Sequence, residues 1–259
     1  MTNMSRFIPL LFFSVCLFCA CEEEPDPSPT DLGYNYYPLE VGKFRLYELD
    51  SIVFDPGGSG TLVDTSMGQL REEIVELFED AAGDTVYRVE RSYRRETGTP
   101  FQVIKVYTEQ LDRQRQQLVR QEDNLRFVKM VFPVRENRSW DGNVNFDEQI
   151  NVLVAGESVQ MFKSWDYRFE RTALDSTIAG IDYADLVHLE LANSENVIEN
   201  RQADEYYAPG IGLVYRTLDI QDTQCEVCCN NDTEQCIPLP WVEKAEKGFS
   251  LRQRLIDHN

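Results

Sequence analysis

Cys225, Cys228, Cys229 and Cys236 crowd into one polar segment, Gln224 to Pro240, with Asn230-Asn231-Asp232 between them. Thiols this close can do two kinds of chemistry. Outside the cytosol they oxidise to disulfides. As thiolates in Cys-x2-Cys pairs they hold tetrahedral zinc. Only 225/228 has that spacing, and the adjacent 228/229 pair suits a metal knuckle poorly. The spacing favours two disulfides over zinc or free thiols. A bond between Cys228 and Cys229 themselves would be strained, so each is expected to pair with Cys225 or Cys236. The pairing itself is not legible. In either form the cysteines would staple a loop that lacks apolar side chains to fold around.

Other catalytic chemistry is thin. The two histidines are His188, within Leu186-Val187-His188-Leu189-Glu190, and His258, next to the last residue. By strand alternation His188 shares a polar face with Glu190. No Gly-x-Ser-x-Gly elbow supports a nucleophilic triad. Two histidines are too few for a His-rich zinc site. Gly210-Ile211-Gly212 starts like a dinucleotide fingerprint, but the third Gly is missing and a strand-like run follows, so it reads as a turn. Carboxylates are abundant, yet glycoside hydrolysis needs two at a set separation with one pKa raised. Sequence supplies neither. No catalytic residue, cofactor or metal is expected.

Charge narrows the partners. The 259 residues carry 25 Lys+Arg against 45 Asp+Glu, a formal charge of −20. Nucleic acid is excluded as a partner, because binding phosphates needs clustered cations. Electrostatic docking on anionic lipid is excluded for the same reason. Membrane attachment would have to come from lipid itself. After Arg6, the run from Phe7 to Ala20 is apolar or small throughout. It is too short to cross about 30 Å of hydrocarbon and fits a signal-peptide core. It ends in Phe18-Cys19-Ala20-Cys21, which resembles the lipobox of bacterial lipoproteins, with Phe18 where Leu is usual. That resemblance implies lipidation of Cys21, and two or three acyl chains anchor a protein stably. Glu22-Glu23-Glu24 and then Pro25, Pro27 and Pro29 predict an acidic, extended tether over 21–33. An acidic run after the lipidated Cys resembles the surface-export signal of Bacteroidota lipoproteins.

Beyond residue 34 the chain reads as one antiparallel β domain forming a barrel, half-barrel or sandwich. Short β-rich runs cover 43–54, 85–94, 101–108, 117–121, 125–132, 150–154, 159–171, 183–191, 212–218 and 248–256, separated by polar turns. Ala82-Gly83-Asp84 is a hairpin signal. Leu70, Ile74, Leu77 and Phe78 have helical spacing, but the strands around them and the short connection favour a strand.

Four stretches carry a family resemblance: Tyr36-Tyr37-Pro38-Leu39-Glu40-Val41-Gly42, Phe132-Pro133-Val134 with Ser139-Trp140-Asp141-Gly142-Asn143, Tyr207-Ala208-Pro209-Gly210-Ile211-Gly212, and Glu246-Lys247-Gly248-Phe249. Together they resemble a group of uncharacterised Bacteroidota surface lipoproteins over roughly 34–256. The resemblance implies an outer-membrane, surface-facing location and no activity. The strand pattern is also loosely similar to lipid-carrying half-barrels of the LolA/LolB type. Three functions are therefore expected in order. The first is a non-catalytic, lipid-anchored module binding an outer-membrane protein or glycan. The second is a carrier or sensor of an apolar ligand. The third is a carboxylate hydrolase. A continuous apolar cavity lined from several strands would favour the carrier.

Overall fold

A computed structural model describes residues 31–57 and 60–259. The expected leader, Cys21 and the expected tether up to Thr30 lie outside the described residues. A short 3-10 turn, Tyr34–Tyr36, precedes the first strand. Six strands then run as a meander: β1 (Phe44–Gly57), β2 (Gly60–Glu79), β3 (Thr85–Arg94), β4 (Gln102–Asp112), β5 (Gln117–Glu122) and β6 (Leu125–Val131). A two-residue strand, β7 (Ser139–Trp140), and a small hairpin, β8 (Val152–Val154) with β9 (Glu157–Val159), follow. The second meander is β10 (Trp165–Ile178), β11 (Ile181–Glu195), β12 (Glu199–Ala208), β13 (Gly212–Asp222) and, last, β14 (Lys247–His258).

All but β8 and β9 join one antiparallel sheet of 12 strands, ordered β6-β5-β4-β3-β2-β1-β14-β13-β12-β11-β10-β7. The first and last long strands are neighbours at its centre, with Val53 opposite Phe249. The sheet curls until its two ends meet. Val128 N–H of β6 donates to Gly142 O (2.8 Å), and Trp140 Nε1 of β7 donates to Val128 O (2.8 Å). The result is a barrel joined at this seam by a few bonds rather than a full ladder. Successive side chains of a strand point to opposite faces, so alternate residues face the interior. Tyr47, Leu70, Leu118, Met130, Tyr167, Phe169, Leu189, Leu191 and Leu255 are buried in this core. The ambiguous 70–78 run is part of strand β2, and the 82–84 hairpin joins it to β3. Gly210 and Ile211 form the turn before β13.

Candidate functional site

The barrel interior is not filled. A cavity of about 630 Å³ is lined by residues from nearly every long strand. Its walls are of two kinds. One is apolar: Phe127, Met161, Phe162, Trp165, Leu191, Leu218, Phe249 and Leu251. Rings there pack edge on or tilted, with Phe127–Phe162 and Phe162–Trp165 centroids each 5.4 Å apart. The other wall is ionic, with Arg91, Arg120, Glu122, Lys129, Glu205 and Arg216.

These charges sit inside a β-barrel because they are paired. Lys129 Nζ donates to Glu205 Oε1 (3.0 Å) and Oε2 (3.1 Å). Arg216 donates to Glu205 Oε1 through Nε (2.8 Å) and also pairs through its NH2 (2.6 Å). Tyr207 OH donates to Glu205 Oε2 (2.6 Å). Next to them, Arg91 bridges Glu72 (2.9 Å) and Glu122 (2.7 Å). Arg120 pairs with Glu109 (2.8 Å). Tyr37 OH donates to Glu109 Oε1 and accepts from Arg120 (2.8 Å). Burial alone would raise the Glu205 pKa, but Lys129, Arg216 and the Tyr207 hydroxyl outweigh it and hold it well below the carboxylate range. Glu72 is held down in the same way by Arg91 and Arg120. Glu122 is held at about 2 by Arg91 and Arg120 against its burial. Lys129 moves the other way: burial lowers it to about 8, with Glu205 opposing. A glycosidase-type acid needs a raised pKa, so Glu205 and Glu122 are tuned away from that role.

The ion cluster is matched pair for pair: five cations, Arg91, Lys105, Arg120, Lys129 and Arg216, meet five acids, Glu72, Glu109, Glu122, Asp123 and Glu205. Sequence reasoning did not find this cluster, since inward-facing charges on an alternating strand look like a solvent face. β12, which carries Glu205, was not foreseen at all.

The cysteine segment departs from expectation. Cys225 bonds Cys236, with Cα atoms 5.8 Å apart. Cys228 and Cys229 are free, whereas each was expected to pair with Cys225 or Cys236. The reason is local geometry. Three one-turn helices span Glu226–Cys229, Thr233–Cys236 and Trp241–Lys244. Asn230 and Asn231 take positive φ and reverse the chain between the first two, which returns Cys236 to Cys225. The buried Glu246 carboxylate accepts from Gln224 N–H (2.7 Å) and Val227 N–H (2.8 Å) and pins the segment. The Cys228, Cys229 and Cys236 sulfurs lie within 4.8 Å of one another, but Cys236 is committed to the disulfide, so four thiolates are not on offer for zinc. Burial, with Cys229 beside it, pushes the Cys228 thiol up to about 11, so it stays protonated and a weak nucleophile.

Alkylating the unfolded, unreduced protein is thus expected to label Cys228 and Cys229 and spare Cys225 and Cys236; labelling of all four would refute the bond. Cys236→Ser should loosen the 224–240 segment, by up to about 3 kcal/mol for a closed loop spanning 11 residues of separation, with a rise in proteolysis there.

His188 stacks on Tyr206 (centroids 4.4 Å) and its Nε2 lies 2.7 Å from Asp204 Oδ1. It does not line the cavity. His258 is the last residue of β14.

No protein-family model matches the chain, and no curated protein matches it. Among solved structures, one similar chain is a "putative lipoprotein" from Parabacteroides distasonis: 9% identity, TM-score 0.36, covering 86% of this chain and 98% of that one. Another is a "putative exported protein with YmcC-like fold" from Bacteroides fragilis: 11% identity, TM-score 0.35, covering 86% and 97%. A DUF1329 family protein from Desulfovibrio piger is more distant, with 12% identity and a TM-score of 0.20 over 88% and 90%.

Proposed function

We propose that this chain is a non-catalytic envelope lipoprotein, anchored through Cys21 at the outer membrane, whose barrel binds a ligand with an extended apolar part. The cavity of about 630 Å³ carries this reading. Its volume falls in the range of small-molecule sites, and its aromatic and aliphatic wall draws on several strands. Desolvating an alkyl chain there contributes about 0.8 kcal/mol per buried CH2. The Phe18-Cys19-Ala20-Cys21 sequence and the acidic residues after it support the anchor and a surface-facing location.

A docking role for an outer-membrane protein or glycan is the second reading. It draws on Val63 and Met67, apolar side chains exposed on one face of β2, where single exposed residues are ordinary but a group of them marks contact surfaces.

The test is solvent extraction of the protein purified from its native membrane, followed by mass spectrometry. An amphiphile at near one equivalent is expected. A fluorescent apolar probe should bind the purified protein. Leu218→Trp, which places an indole in the cavity, should weaken that probe at least about tenfold at unchanged melting temperature. No extracted amphiphile together with no probe binding would end the carrier reading.

A further inference from the structure

The ionic wall has features that the pairing of its own residues does not explain. Gln253 lines the cavity and is 1% exposed. Its Oε1 accepts from Arg216 NH1 (3.4 Å), which fixes the amide orientation, because a flipped amide would set its NH2 against a guanidinium. Its Nε2 then has no partner among the described residues. A buried N–H left unmade costs free energy. The orphan is a donor, so what satisfies it must offer an acceptor. Gln253 continues a chain of contacts that runs from Lys129 through Glu205 to Arg216. Lys129 Nζ has three hydrogens and, among the described residues, only the Glu205 carboxylate as partner.

Resting on the carrier reading above, we infer that the ligand's head is an oxyanion on an alkyl tail, seated against Lys129, Arg216 and Gln253, with the tail along Phe127, Phe162 and Trp165. Two oxygens take the hydrogens that Gln253 and the cations hold spare. A charge-assisted bond in a site with little water is stronger than a neutral one. A cationic head would meet Lys129 and Arg216 with like charge.

Four probes with the same twelve-carbon chain separate the outcomes: dodecanoate, dodecyl phosphate, dodecanol and dodecylamine, titrated below micelle formation into the purified full-length protein. Dodecanoate is expected to bind about tenfold or more tighter than dodecanol, and dodecylamine weakest. Lys129→Met should erase most of the anion's advantage and leave dodecanol unchanged. Gln253→Leu, which keeps every ion pair, should weaken the anions several-fold. Tighter binding of dodecyl phosphate than of dodecanoate points to a phosphate-ester head, and the reverse to a carboxylate. Either order upholds the oxyanion. Equal affinity for dodecanoate and dodecanol overturns this inference while leaving the carrier reading intact. Failure of all four probes to bind overturns both.

Discussion

Glu205→Gln is expected to destabilise the barrel by about 3–5 kcal/mol. Glu205 is 1% exposed and faces Lys129 and Arg216 at once. Neutralising it leaves two cations in the interior without their counter-charge, and desolvated charge is what makes such a change severe. Lys129→Met should do much less harm, because Glu205 keeps Arg216 and the Tyr207 hydroxyl. The urea midpoints of the two variants check this asymmetry. Equal losses below about 1 kcal/mol would mean that water screens the cluster as it does at a surface. The pH dependence follows from the same acids. Glu205, Glu72 and Glu122 titrate lower in the folded protein than when unfolded. Their stabilisation is therefore complete above the unfolded value of about 4.3 and is lost as pH falls through the folded values. Acid unfolding should set in below about pH 4, and Glu205→Gln should flatten it.

Gly248→Ala is expected to cost about 3 kcal/mol or more, combining a left-handed backbone penalty with overpacking. Gly248 has φ +106°, and a Cβ there would lie 2.0 Å from Ile220 O. That oxygen belongs to the neighbouring strand β13, where Gln221 is opposite Gly248, so the ladder itself would have to move. Gly83→Ala is the control: its φ is +82°, but nothing lies within 4 Å of the added methyl. It should cost only the backbone share, about 1–2 kcal/mol. Matching melting temperatures for the two variants would show that the clash with β13 is relieved without loss.

Most of the sheet was legible because its strands alternate. The 85–94 run is β3 to the residue, and the 117–121 and 125–132 runs differ from β5 and β6 by one residue each. Several features escaped, among them residues 60–69, the first half of β2, which lie in none of the expected runs. The 159–171 run is broken: Val159 ends the small hairpin and Trp165 opens β10. More telling, β12 reads Glu-Asn-Arg-Gln-Ala-Asp-Glu-Tyr-Tyr-Ala and gives no apolar alternation. Yet Arg201, Ala203, Glu205 and Tyr207 are all buried. Periodicity assigns charge to water, and it fails where an interior supplies partners for charge. The residues that mark the binding wall are therefore those a hydrophobic pattern hides. The cysteine pairing was hidden for another reason: it depends on two asparagines taking positive φ, which no spacing rule contains.

One consequence of the sheet order concerns time. β1 pairs with β14 (Asp50 opposite Arg252) at the middle of the sheet, so the first long strand to be made finds its second neighbour only after β14 has followed it. Contacts this remote in sequence slow folding. The front half can form a meander, but one flank of β1 keeps bare amides and carbonyls until the tail arrives. Until β14 pairs, the half-made barrel is held only from one side, and its closure waits on its most distant contact.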